Sequence, residues 1–247
     1  MPPPRRAPAP LIWTLPDPES QRGLSRERIV RAAVAVADEG GERALTMAAV
    51  ADRLGAYTAM ALYRHVPGKD ALIDLMVDEV TGEVALPDAP GPDWRADLHA
   101  IARSSWEMVT RHGWYARAVH ASPPLGPHML RRTECILEIL TRQGATPAEA
   151  VTYAALLDGH VYGGALQSAA ERDLTDRFGL ASGEELTAAI SAARERVAAD
   201  GRYPVLADWM ASPTVATPEE QLELSLGFLL DGITARLPTT RRRSTRR

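Results

Sequence analysis

The sequence contains one cysteine and has a membrane-spanning run nowhere along its 247 residues. Cys135 has no second thiol to pair with, so the chain forms no internal disulfide and suits a reducing compartment. The longest apolar runs, such as residues 32–37, fall far short of the roughly 20 residues that cross a bilayer. Residues 1–10 are rich in proline and lack the apolar core of a secretory signal. These absences predict a soluble, cytoplasmic protein. Catalytic signatures are equally scarce. There is no Gly-x-Ser-x-Gly elbow, no phosphate-cradling glycine loop, no His-Glu-x-x-His and no cysteine cluster, and the six histidines are scattered. The expectation is therefore of no enzyme, no cofactor and no metal.

What remains is a chain of 45% apolar and 24% charged residues, long enough for one large or two modest domains with a sizeable core. Net charge is −4 and uneven: the segment 241–247 carries five arginines, whereas residues 87–240 are strongly acidic. Lys69 is the only lysine, but arginine usage can follow genome composition and carries no functional argument here. Residues 1–24 read as a flexible proline-rich arm with one short apolar patch, Leu11-Ile12-Trp13; a disordered leader is favoured over a DNA-contacting arm. From Ser25 onward, helical periodicity replaces any strand alternation. Helices are predicted over 26–39, 47–54, 58–65, 69–85, 94–112, 115–121, 127–143, 147–171, 183–200 and 218–236, with breaks at glycine and proline clusters. The fold class is all-α. The stretch Pro87–Pro92 divides a small N-terminal unit (25–86) from a larger helical body (87–237), followed by a basic tail (238–247). A three-helix unit buries little surface alone, so it is expected to lean on the body.

The N-terminal unit has its own local logic. Ser25 suits the N-cap of the first helix and Thr46 that of the second, with Leu45 and Val50 spaced as a hydrophobic staple. Gly55 sits where a helix stop favours a positive φ, and Thr58 suits the cap of a third helix. On that helix Leu62 and Val66 share one side, while Met60, Tyr63 and Arg64 project from the other. Two short helices joined by a glycine turn form either an ordinary helical hairpin or a helix-turn-helix. In the second case small residues such as Thr58 and Ala59 approach base edges, and Thr46, Tyr63, His65 and Lys69 face phosphates. Between 46 and 69 the charge is only +2, so composition alone does not indicate DNA.

The literal motifs favour the second. Residues 25–33 (Ser-Arg-Glu-Arg-Ile-Val-Arg-Ala-Ala), 45–51 (Leu-Thr-Met-Ala-Ala-Val-Ala), Leu54-Gly55 and 61–72 (Ala-Leu-Tyr-Arg-His-Val-Pro-Gly-Lys-Asp-Ala-Leu) resemble the DNA-binding domain of the TetR family of transcriptional regulators. The resemblance implies phosphate contacts for Thr46, Tyr63, His65 and Lys69, and a recognition helix beginning within Tyr57–Met60. Six residues, 56–61, separate Leu54-Gly55 from Leu62-Tyr63 where the family pattern has five. The extra residue either lengthens the turn or shifts the recognition helix.

In the body, Trp94, His112-Gly113-Trp114, the run 123–127 (Pro-Pro-Leu-Gly-Pro), the helix after Pro147 and residues 228–233 resemble the tetracycline-repressor subgroup. That resemblance implies a homodimer joined through helices 147–171 and 218–236, a small-molecule effector and a palindromic double-stranded operator. Trp106, His112, Met129, Glu134, Tyr153 and His160 are the candidates for an effector cavity, each with ordinary core packing as the alternative. The implied function is a ligand-responsive repressor. The alternative is a helical sequestering or protein-binding module that does not touch DNA.

Overall fold

The computed structural model describes residues 11–16, 23–122, 125–177, 179, 185, 188, 191–211 and 217–238. Among the described residues there is no strand, and the architecture is all-α. After a short 3-10 turn (Ile12–Thr14) come α1 (Arg26–Ala44), α2 (Met47–Leu54), α3 (Ala59–Leu62), α4 (Lys69–Thr81) and α5 (Trp94–Arg111). There follow α6 (Tyr115–Ala118), α7 (Pro127–Arg142), α8 (Pro147–Arg177), α9 (Ser191–Asp200), α10 (Pro204–Ala211) and α11 (Pro218–Arg236). The predicted breaks at Pro123-Pro124 and over 213–216, most of the predicted start of helix 183–200, and the basic tail from 239 onward lie outside the described residues.

Local signals place most helix starts. Ser25 Oγ accepts from the Arg28 N–H at 3.2 Å, and Asp93 caps α5 by accepting from the N–H groups of Arg95 and Ala96. α4 and α6 end a few residues before their predicted ends and α8 runs on to Arg177, and three further elements differ from expectation in kind. α1 continues to Ala44 but bends at Gly41, whose φ of 70° only glycine adopts readily. α3 stops at Leu62 instead of 65, because Pro67 biases its predecessor away from helical angles and the chain turns before α4. α10 was not expected at all; Pro204 at its first position is the one local cue for it.

The chain packs as two compact units, Met1–Gly159 with Leu237–Arg247, and His160–Arg236. In the first unit α4 packs against α1, α5, α6 and α7, so the residues on either side of Pro87–Pro92 belong to one compact body. Ile29 and Ala33 of α1, Val50 of α2, Leu62 of α3 and Leu72 and Met76 of α4 are wholly buried. Each large aliphatic side chain among them stabilises the unit by roughly 1.5–3 kcal/mol. The N-terminal patch corrects the reading of a flexible arm for residues 11–16. Ile12 is 2% exposed and the 3-10 turn packs on α4. The Arg26 guanidinium donates to the Pro16 carbonyl at 3.2 Å. Burying an isoleucine outweighs the entropy that proline-rich composition suggested would prevail. In the second unit α9 and α10 pack together, and the His160 ring lies 2.7 Å from Ser225 Oγ on α11.

Candidate nucleic-acid interface and its attachment to the body

Two threonine caps define the candidate surface. Thr46 Oγ1 accepts from the Ala49 N–H at 3.1 Å, and Thr58 Oγ1 from the Ala61 N–H at 3.4 Å. Both threonines are exposed. Gly55, with φ of 77°, ends α2 and sends its N–H to the carbonyls of Ala51 and Asp52. The turn then runs through Ala56 and Tyr57, and α3 begins at Ala59. Met60 is 72% exposed and Tyr63 46%, an unusual display of apolar and aromatic surface on a small helix; Arg64 and Lys69 are exposed beside them. Ala59 and Tyr57 are half-buried, and the Arg28 guanidinium lies 5.8 Å from the Tyr57 ring centre. Lys69 Nζ donates to the Glu42 carbonyl at 3.5 Å, a long and weak contact. Arg53 is paired with Glu39 of α1, whose carboxyl is held below its ordinary range by that hydrogen bond, so Arg53 adds little to the local positive charge.

His65 departs from the expected surface. It is 5% exposed, its Nδ1 has no hydrogen-bond partner, and its carbonyl accepts from Arg26 Nε at 3.4 Å. Once α3 ends at Leu62, residue 65 turns into the packing beside Leu62 and Val66 instead of continuing the exposed face.

α4 follows the two short helices and is fastened to the body by polar contacts. Asp78, 5% exposed, accepts from the Met129 N–H at 2.9 Å and the His128 N–H at 3.3 Å. A carboxylate on α4 thereby caps α7, whose own N-cap Gly126 has no side chain to do so. A β-carbon at Gly126 would lie 2.1 Å from Asp78 Oδ1, so the site demands glycine. Thr81 and Tyr115 hydroxyls meet at 2.8 Å in the interior. Burial raises the Asp74 carboxyl above its ordinary range, against the lowering effect of the Ser122 hydroxyl.

The six effector-cavity candidates have different surroundings. Trp106 (7% exposed) and Met129 (6%) are core, Tyr153 is half-buried, and His160 is engaged with Ser225. Glu134 is exposed on α7, against expectation, because it points away from the stripe Met129, Arg132, Ile136 and Ile139 that α7 buries. His112 is also corrected. Instead of facing a cavity it spans two carboxylates, Nδ1 at 2.8 Å from Asp38 Oδ1 and Nε2 at 3.3 Å from Glu83 Oε2. An open cleft of about 210 Å³ is lined by Thr81, Gly82, Val84, Leu86, His128 and Arg131, none of them a candidate. Within the body, the buried Arg132 guanidinium donates to both carboxylate oxygens of Asp158, at 2.6 and 3.1 Å, and to Ser105 Oγ at 3.1 Å.

Comparison with known proteins settles what this architecture is. The model of bacterial regulatory proteins of the tetR family matches residues 29–76, and that of the tetracyclin repressor-like C-terminal domain matches residues 86–237. The chain is 36% identical over 211 residues to the HTH-type transcriptional repressor DrrR1 of Streptomyces coeruleorubidus, covering 85% of this chain and 77% of that protein. The chain belongs to the TetR family. A second TetR-family relative, the tetracycline repressor protein class A from transposon 1721 of Escherichia coli, is 26% identical, covering 86% of this chain and 92% of its own. Among solved structures, ActR of Streptomyces coelicolor in complex with actinorhodin aligns with a TM-score of 0.75 at 25% identity, covering 89% of this chain and 99% of that one. As a TetR-family protein the chain is a ligand-responsive, DNA-binding transcriptional regulator, acting on double-stranded operator DNA and on a small-molecule effector. Among the described residues no helix is long and apolar enough to cross a membrane.

Several residues that matter to this TetR-family geometry carry no sequence signal: Asp38, Glu83, Asp78 and Arg132. Each is an ordinary charged residue on a helix or at its end, and only its distant partner reveals its role. The Trp114 of His112-Gly113-Trp114 was visible as a motif, yet its contact with Asp38 was not.

Proposed function

We propose that this TetR-family regulator is a cytoplasmic homodimeric repressor, without enzymatic activity, that leaves a palindromic operator when a small, partly apolar molecule binds the body. The organisation behind this reading is a leader (1–24), a DNA-reading unit (25–86), an effector and dimerisation body (87–237) and a basic tail (238–247). The observation that carries it is the outward display of Thr46, Thr58, Met60, Tyr63, Arg64 and Lys69 around two capped helix starts. Thr46, Tyr63 and Lys69 hold phosphates, while Thr58 to Met60 meet base edges in the major groove. Tyr57 supports the turn from beneath through Arg28. His65, buried at 5%, acts by setting the end of α3 and reaches a phosphate only if that end moves.

Dimerisation is supported by apolar surface left open on two helices. α11 buries Leu222, Leu226, Leu230 and Ile233 on one face and exposes Leu224 (63%) and Phe228 (68%) on another. α8 exposes Val151 and Leu156, and neither Gly159 nor Gly163 has a neighbour that a β-carbon would meet. A two-fold dimer sets two reading heads about 34–36 Å apart, one DNA turn. Cys135 is not an activated nucleophile, since its thiol is raised by burial and by the carboxylates of Glu138 and Asp97.

The test is fluorescence anisotropy of full-length protein on labelled duplexes from the DNA flanking its own gene. Salt-sensitive, sequence-preferring binding is expected, with release by an effector. Actinorhodin and tetracycline, which the relatives' names supply, are the first probes. A folded dimer that ignores every duplex at low salt refutes the reading.

A further inference from the structure

α4 of the HTH unit packs against α5, α6 and α7 of the body, and attachment through a single helix leaves a rigid unit able to swing about that helix. A second attachment, distant from the first, removes this freedom. The structure supplies one at the α5–α6 corner. Asp38 Oδ1 on α1 accepts from Trp114 Nε1 at 2.7 Å and lies 2.8 Å from His112 Nδ1. The other ring nitrogen of His112 reaches Glu83 just beyond α4, which Arg111 of α5 also pairs. His112 is 4% and Trp114 5% exposed, and their rings meet edge to face with centres 6.1 Å apart. One carboxylate on the reading unit is thus gripped by two buried side chains of the body, 74 and 76 residues away.

We propose that Asp38, His112 and Trp114 form a latch that sets the angle of the reading head against the body, making Asp38 a positioning residue for operator half-site spacing. None of the three belongs to the DNA-facing surface formed by Thr46, Thr58, Met60 and Tyr63. The latch acts by geometry. With α4 held by Asp78 and Thr81 and α1 held by Asp38, two attachments on different helices fix the head, and an effector that disturbs either one changes the spacing of the two heads. The inference rests on the regulator reading above, and its test separates the two.

The test uses full-length wild type, Asp38→Ala, Trp114→Phe and Asp38→Asn on a duplex that wild type selects from a random library. The same duplex with one base pair inserted or removed between half-sites is measured alongside. Wild type should prefer the selected spacing. Asp38→Ala and Trp114→Phe should bind that duplex about tenfold more weakly and discriminate less between spacings, at an unchanged circular-dichroism spectrum. Asp38→Asn, which keeps an acceptor oxygen, should stay near wild type. If Asp38→Ala does not fold, Trp114→Phe, which keeps an aromatic ring but loses the indole N–H and some buried volume, carries the test. Wild-type affinity and spacing preference in folded variants overturn the latch. Weaker binding with an unchanged spacing ratio also overturns it, since general destabilisation produces that pattern. A wild type that selects no duplex overturns the regulator reading itself.

Discussion

Replacing Asp78 by alanine tests how α4 is fastened to the body. The carboxylate is 5% exposed and is the side-chain cap of α7, accepting from the buried Met129 N–H and the half-buried His128 N–H. Losing an N-cap costs about 0.5–2 kcal/mol. Leaving the buried Met129 donor unsatisfied adds about 1–3 kcal/mol, since no water readily replaces the acceptor at a site this closed. The two overlap, so a total of about 2–4 kcal/mol is expected, among the larger single-residue effects outside the apolar core. Asp78→Asn keeps one acceptor oxygen for Met129 but turns an N–H toward His128, and should lose roughly half as much. The assay is urea unfolding followed by circular dichroism at one fixed protomer concentration, because dimer stability depends on it. Operator affinity should fall in the same order, alanine below asparagine below wild type. A change under about 0.5 kcal/mol for Asp78→Ala would place the variant with ordinary surface substitutions and refute the capping argument.

Lys69→Ala should weaken operator binding for all sequences alike and lower the salt slope by about 1, measured by anisotropy across a salt series; an unchanged slope removes Lys69 from the phosphate contacts. Ile12→Ala should cost about 2 kcal/mol or more in urea unfolding, given its 2% exposure, whereas an undocked leader would show no change. Burial holds His160 below its ordinary value of 6.5, so between the lowered value and 6.5 the unfolded chain binds more protons than the folded one. The His160 contribution is therefore fully present above 6.5 and is lost as pH falls through the lowered value. His160→Gln should flatten that part of the profile when unfolding midpoints are compared at about pH 5 and about pH 8.

The amino-acid sequence by itself determined the helical texture, the caps at Ser25, Thr46 and Thr58, the glycine stop at Gly55 and the motif around Leu62-Tyr63, and with them the family. These are interactions between residues three or four apart, so spacing alone encodes them. Tertiary structure decided the rest. Ile12 became core because α4 offered it an apolar surface, and His65 went inside because α3 ended a turn early ahead of Pro67. His112 left the effector candidates because Asp38 and Glu83 came within reach of its two nitrogens. A carboxylate reads the same in sequence whether it faces solvent or grips a tryptophan 76 residues away, because long-range contact depends on how helices pack and not on local spacing.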